Sequence, residues 1–136
     1  MKKSPLAPTD FPALAPLDGV RLGAIETGVK YRGRDDLMLA ALSPQTVVAG
    51  VLTRSATAAA PVLWCRRRLD SADEARALIV NAGNANAFTG DVGARHVRAT
   101  CEAVAAEINC RAEQVLAAST GVIGEPLPVE RIVRAV

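Results

Sequence analysis

The chain of 136 residues is long enough for one domain and too short for two. Sixteen lysines and arginines against 14 aspartates and glutamates leave a formal charge of +2, which gives no electrostatic reason to expect nucleic acid or a membrane surface as a partner. Half of the residues are hydrophobic and 22% are charged, a balance typical of globular proteins. The two phenylalanines, one tyrosine and one tryptophan lie in separate segments, so they cannot form a platform that stacks bases.

The cysteines and the histidine argue against a metal centre. Cys65, Cys101 and Cys110 form no C-x-x-C pair, and His96 is the only histidine, so four closely spaced zinc ligands are lacking. We interpret the cysteines as small buried hydrophobes in a reducing compartment. The longest uncharged stretch, residues 37–53, is shorter than a membrane helix, and no targeting signal is visible at the start. The sequence therefore predicts a cytoplasmic protein without metal or cofactor.

The first half of the chain predicts mainly strands. A proline-rich leader, residues 1–18, precedes a single incomplete domain, residues 19–136. Strands are predicted over residues 20–29, 37–42 and 46–53, and the last of these, which contains VVAGVL, is apolar on both faces and hence interior. A helix is predicted over residues 58–69, with a proline in its first turn. Three arginines at its end fit a solvated face, and a phosphate-binding role is the alternative.

The second half predicts an alternation of strands and helices. Residues 77–80 form a short buried strand, a loop follows at 81–90, and a helix capped by Asp91 runs to about residue 109. A strand at 115–118, a second loop and a helix opening at Pro128 complete the order, which predicts an α/β fold with a mixed sheet flanked by helices. The last helix ends on the apolar Val136 without a glycine cap, which predicts a fragment of a longer protein.

Two loops at strand ends are candidate sites, because α/β proteins usually bind ligands there. The first, NAGNANAFTG at residues 81–90, has asparagines that can bond nearby backbone, so a self-bonded loop is the simpler interpretation. The second, STGVIGEPLP, offers backbone N–H groups at Gly121 and Gly124 and the Thr120 hydroxyl as donors to an oxyanion, with an ordinary turn as the alternative. No nucleophile with an adjacent base is present, since His96 and Cys101 lie about 140° apart around their helix.

Three segments in this order resemble the signature sequences of the ornithine acetyltransferase family, also called bifunctional glutamate N-acetyltransferase. They are GVLTRSATAAAPVLW at residues 50–64, ALIVNAGNANAFTG at 77–90 and STGVIGEPLP at 119–128. Residues 23–42 are similar to the amino-terminal strands of that family. The resemblance extends from about Gly19 to the last residue and identifies the chain as the amino-terminal part of the family's α chain.

The resemblance implies half of a self-cleaving acyltransferase sandwich. In that family a precursor cleaves itself before an internal threonine, which accepts acetyl from N-acetylornithine and passes it to glutamate in arginine biosynthesis. Some members also use acetyl-CoA as the donor. The Thr-Gly pair that forms the oxyanion hole falls here on Thr120 and Gly121. The nucleophile and most substrate contacts would lie beyond Val136, and the complete protein would be an α2β2 heterotetramer, so the chain alone is expected to be inactive.

The chain departs from the family at three positions. It has Ser55 where asparagine is usual, Ala82 where serine is usual and Phe88 where cysteine is frequent. Two alternatives to the acetyltransferase stay open. A related self-cleaving aminopeptidase would keep the architecture and change the reaction, and a truncated product would have no catalytic role.

Overall fold

The computed structural model describes residues 5–10, 12–13, 15–71 and 74–136. Part of the predicted leader, residues 1–4, 11 and 14, therefore lies outside the described residues. The elements are β1 (Val20–Ile25), β2 (Leu37–Leu42), α1 (Ala60–Asp70), β3 (Ala77–Asn84), α2 (Gly90–Glu107), a short 3-10 helix (Ala112–Gln114), β4 (Val115–Val122) and α3 (Val129–Ala135). The predicted α/β class is confirmed.

The four strands form one mixed sheet in the order β1-β2-β3-β4. β1 pairs with β2 and β2 with β3 in antiparallel fashion, whereas β3 and β4 are parallel. A parallel pair needs a crossover connection, and α2 provides it. The carboxyl ends of β3 and β4 consequently lie side by side at the same end of the sheet.

The core lies between one face of the sheet and the helices. Ile79 on β3 and Val115 on β4 pack with Val104 on α2 and Ile132 on α3, and all four side chains are fully buried. The apolar face predicted for α2 is confirmed, because its buried positions are three to four residues apart as a helix requires. Burial of this face, and not helix propensity, provides most of the stability of such a helix.

The strand predicted over residues 46–53 is wrong. This segment has no strand geometry, and Val47 and Val51 are 88% and 98% exposed. β1 and β3 occupy both sides of β2, so the chain that leaves β2 has no free neighbour there and leads to α1 instead. An apolar, β-branched composition does not make a strand where no partner is available to pair with it.

The two strands near the candidate loops are longer than predicted. β3 extends to Asn84 and β4 to Val122, because their parallel pairing continues past Ala118. Asn, Ser and Gly are depleted in strands, which explains why their sequence indicates loops.

Asp91 is in the first turn of α2 and is not its cap, since Thr89 occupies that position. The helix openings near Pro61 and at Pro128 are confirmed.

Candidate functional site

The parallel pairing brings the two predicted loops together as neighbouring strand ends. Ala82 lies opposite Thr120, and Gly83 lies opposite Gly121. The segments that sequence analysis treats as separate candidate sites therefore form one site at the carboxyl ends of β3 and β4, where α/β sheets usually bind ligands.

Gly83 and Gly121 allow the two backbones to approach closely. A Cβ on Gly121 would lie 2.2 Å from the carbonyl carbon of Gly83 and 2.5 Å from the nitrogen of Asn84. Gly121 also has a φ of 136°, and Gly83 has a φ of 106°, both in the region that favours glycine. A Cβ on Gly83 would lie 2.8 Å from the Cβ of Lys30. Neither position accepts a side chain without a shift of the backbone around it.

The backbone N–H of Gly121 points away from β3, toward the outer edge of β4. The Ala85 N–H donates to the Val122 carbonyl at 2.8 Å, whereas the Ala82 N–H donates to the Asp36 carbonyl on the opposite side of β3. Peptide groups alternate along a strand, so the Thr120 carbonyl faces β3. In a trans peptide the next N–H points the opposite way, which directs the Gly121 N–H to the outer edge of β4.

The outer edge of β4 is covered in its first half and open in its second half. The indole Nε1 of Trp64 donates to the Val115 carbonyl at 2.8 Å, and the Cys65 Sγ donates to the Ala117 carbonyl at 3.1 Å. Beyond Ala117, no residue in the described part of the chain hydrogen-bonds the outward N–H groups of Ser119 and Gly121. Two backbone donors are thus available to a ligand.

Thr120 offers a further donor in the residue before Gly121. Its side chain is exposed, and its hydroxyl has no hydrogen-bond partner within residues 5–10, 12–13, 15–71 and 74–136. A free hydroxyl beside a free N–H is a donor set that can bind an oxygen atom with negative charge. Thr120 and Gly121, the two consecutive residues that the resemblance assigns to the oxyanion hole, thus each have a free donor in the described part of the chain. Gly124 follows in the loop after β4, where its N–H donates to the Ala87 carbonyl at 2.9 Å, so it is not free.

A network of buried asparagines holds the end of β4 in place. The Ser119 hydroxyl and the Asn81 Oδ1 are 2.6 Å apart, and the Asn81 Nδ2 donates to the Asn84 carbonyl at 2.9 Å. The Asn84 Nδ2 donates to the Glu125 carbonyl at 3.0 Å, while its Oδ1 accepts from the Asn86 N–H at 2.7 Å. The asparagines do bond nearby backbone, as predicted for the first loop, and they also bond the segment that contains β4 and the loop after it. Sequence analysis missed the contact of Ser119 with Asn81, which only the strand register reveals.

Asn86 connects this network to the start of α2. It is fully buried, its Nδ2 donates to the Gly93 carbonyl at 3.0 Å, and its Oδ1 accepts from the Thr89 hydroxyl at 2.9 Å. Buried amides with all their partners satisfied make a rigid support. The asparagines are therefore structural, and the open donors of β4 are the part of the site that can act on a ligand.

The described residues hold no activated nucleophile of their own. Burial raises the pKa of the Cys65 thiol and raises that of Cys101 to about 12, so both thiols stay protonated at neutral pH. No group of three or more His, Cys, Asp or Glu side chains in the described ranges could hold a metal ion. No helix among them is long and apolar enough to span a membrane.

Comparison of the sequence with known families gives one match over most of the chain. The ArgJ family model matches residues 21–136. Two curated relatives are named arginine biosynthesis bifunctional protein ArgJ. The protein of Ruegeria pomeroyi is 53% identical over 133 residues, which are 97% of this chain and 33% of the relative. That of Gluconobacter oxydans is 52% identical over 132 residues, 97% of this chain and 31% of the relative. The chain spans about a third of the length of these relatives.

Solved structures agree with the sequence comparison. The arginine biosynthesis bifunctional protein ArgJ of Bacillus halodurans superposes with a TM-score of 0.81 at 33% identity, over 87% of this chain and 61% of that structure. The ornithine acetyltransferase of Mycobacterium tuberculosis in complex with ornithine gives 0.81 at 39% identity, over 86% and 63%. The resemblance inferred from three sequence segments is confirmed, and the chain belongs to the ArgJ family.

Proposed function

We propose that this chain supplies the oxyanion hole of a glutamate N-acetyltransferase. The enzyme would transfer acetyl from N-acetylornithine to glutamate, through an acetyl-threonine intermediate, in arginine biosynthesis. The names of the relatives support the pathway, and the ornithine complex of the structural neighbour supports the substrate class. The observation that carries the proposal is that two consecutive residues at the end of β4 each have a free donor, the Thr120 hydroxyl and the Gly121 N–H.

These donors suit acyl transfer because charge develops on one atom. When a nucleophile attacks the acetyl carbonyl, the carbonyl oxygen becomes an oxyanion in a tetrahedral intermediate. Donors that are fixed before the reaction stabilise this charge without reorganising. Gly121 is held by its close contact with Gly83 and by strand pairing, so its N–H is fixed in this sense. The missing side chain leaves space for the backbone of Gly83 and Asn84 on β3.

The remaining parts of the machinery belong to the rest of the protein. In this proposal the nucleophilic threonine begins the β chain, which self-cleavage of the precursor releases, and the complete enzyme is an α2β2 heterotetramer. Acetyl-CoA would be a second acetyl donor, and no metal or other cofactor takes part. Residues 1–136 alone would be inactive because they contain no nucleophile. The cytoplasmic location stays a prediction.

The test is Thr120→Ala in the full-length protein that contains this segment. Removing one oxyanion donor lowers kcat by about 10²–10³, or about 2.7–4 kcal/mol. Since the donor acts in the transition state, kcat and kcat/KM should fall together. The melting temperature should not change, because the Thr120 side chain is exposed and makes no hydrogen bond in the described part of the chain. Steady-state kinetics of the processed protein measures the effect.

The control is Thr9→Ala, an exposed threonine that lies before the family match. It should change neither kcat nor KM. Only the processed fraction is assayed, because slower self-cleavage would otherwise imitate slower catalysis. A processed Thr120→Ala enzyme with full kcat and a changed KM would make Thr120 a binding residue and refute the oxyanion assignment.

A further inference from the structure

Asp36 is a buried carboxylate that the proposed mechanism does not use. It ends the segment between β1 and β2 and is 3% exposed. Its Oδ1 accepts from the Thr27 N–H at 2.6 Å and from the Thr27 hydroxyl at 2.8 Å, and its Oδ2 accepts from the Val29 N–H at 2.8 Å. Burial opposes ionisation, but these hydrogen bonds outweigh it and hold the pKa of Asp36 below its ordinary value. A charged group therefore clamps the loop of residues 27–30.

The clamped loop packs against Gly83. Val29 is buried in the core, and its Cγ1 lies 3.6 Å from the position that a Cβ on Gly83 would take. The Cβ of Lys30 lies 2.8 Å from the same position. The loop thus presses on one side of Gly83, while Gly121 approaches the Gly83 backbone from β4.

The backbone of Asp36 reaches the same site by a second route. Its carbonyl accepts from the Ala82 N–H at 2.8 Å, and its own N–H donates to the Ile25 carbonyl at 3.0 Å. Ala82 lies opposite Thr120 in the sheet. Asp36 is therefore one residue removed from Thr120 through its backbone, and it supports Gly83, the partner of Gly121, through its side chain.

We infer that Asp36 is a positioning residue for Thr120 and Gly121. Its carboxylate holds residues 27–30 against Gly83, and this contact fixes the Gly83 peptide on which Gly121 packs. The inference rests on the proposed function and deepens it. Displacing a catalytic donor by about 1 Å can lower the rate by up to about 10²-fold, so a group that only fixes its position has a measurable effect on kcat.

The test is Asp36→Asn in the full-length protein, with hydrogen exchange and kinetics measured on the same sample. Asparagine keeps the size of the side chain but replaces one acceptor oxygen by an NH2 group, which cannot accept from Val29 or Thr27. We expect faster exchange of the Thr120 and Val122 amides, which face β3, and unchanged exchange in α2. In parallel, kcat should fall by up to about 10²-fold while KM stays unchanged.

The matched control is Glu26→Gln. Glu26 is an exposed carboxylate next to this loop, its Oε1 accepts from the Gly33 N–H at 2.8 Å, and neither residue is among the nearest neighbours of a Cβ on Gly83. Its replacement should change neither exchange nor kcat. If Asp36→Asn does not fold, Thr27→Val is used instead, because it removes only the hydroxyl donor to Asp36. We expect the same changes in amide exchange and in kcat, but smaller ones.

The outcomes distinguish the positioning role of Asp36 from the oxyanion role of Thr120 and Gly121. Wild-type exchange at Thr120 and Val122 in the folded variant overturns the positioning role, whatever the activity. Faster exchange throughout the molecule, with unchanged kcat per folded enzyme, also overturns it, because Asp36 would then act on stability alone. Faster local exchange with unchanged kcat supports the positioning of the strand and overturns the oxyanion role of Thr120 and Gly121.

Discussion

The two halves of β4 differ in what their outer edge meets. From Val115 to Ala117 the outward carbonyls accept hydrogen bonds from Trp64 and Cys65 of α1. From Ser119 to Gly121 the outward N–H groups have no partner among the described residues. Unpaired groups on an edge strand are a liability unless they are covered or used. One half of the strand therefore builds the domain, whereas the other half is left available for chemistry.

The largest effect is expected from a methyl group on Gly121. Gly121→Ala would place a Cβ 2.2 Å from the Gly83 carbonyl carbon, so the strand pair must separate, and we expect a loss of more than about 4 kcal/mol and little soluble protein. The matched control is Gly124→Ala, where φ is also positive at 83° but the space is open, and the loss should be about 1–2 kcal/mol. Melting temperature and soluble yield of the full-length variants measure both. Equal losses would show that the contact with Gly83 is unimportant.

A smaller effect is expected in the covered half of the strand. Trp64→Phe removes the donor to the buried Val115 carbonyl and leaves only the Cys101 Sγ, at 3.8 Å. An unsatisfied buried acceptor lowers the free energy of unfolding by about 1–3 kcal/mol, which urea denaturation measures. The kcat of the folded variant should stay at the wild-type value, whereas Thr120→Ala should lower kcat and leave the stability unchanged. A lower kcat with unchanged stability would remove the distinction between the two halves.

These variants test a fold that the sequence predicts in part. The bounds of β2 and the buried face of α2 follow from local pattern, because the periodicity of apolar residues matches the geometry of each element. The carboxyl ends of β3 and β4 could not be predicted, since residues such as Asn81 and Ser119 enter a strand only when their side chains bond each other across it. Residues 46–53 have strand-like composition, but they find no partner.

The candidate site, like the fold, could be predicted from the sequence only in part. Thr120 and Gly121 are proposed from donor chemistry and from family resemblance, both of which are properties of a short segment. Asp36 was not found, because its link to the site is the hydrogen bond with Ala82, 46 residues away in the chain, and the packing of Lys30 on Gly83. Such contacts leave no local pattern of spacing.

The smallest effect concerns the thiol that shares the Val115 carbonyl. Burial raises the pKa of Cys101 from 9.0 to about 12, so the folded state holds a proton that the unfolded state releases above pH 9. The stability from the neutral thiol is complete below pH 9 and is lost as the pH rises toward 12, by about 1.4 kcal/mol at pH 10. Denaturation curves at pH 8 and pH 10 should show this decrease, which Cys101→Ala should reduce.

Cys110→Ala is the control for this experiment, because Cys110 is only half-buried. Burial raises the pKa of its thiol as well, but Arg76 and Arg111 nearby favour the thiolate and oppose this shift. Its removal should change the pH dependence less than the removal of Cys101. If Cys101→Ala keeps the full decrease between pH 8 and pH 10, another group causes it.

The short open edge of β4 also bears on aggregation. Strands in globular proteins are usually about five to six residues long. Trp64 and Cys65 occupy the carbonyls of Val115 and Ala117 at one end of this edge. At the other end, the strand ends at Val122. Within the described part of the chain, α1 leaves a short part of this edge uncovered, from Ser119 to Gly121, which is enough to bind one small oxygen-bearing group and short for intermolecular strand pairing. An edge of this length gives access to a ligand while it discourages fibril-like association.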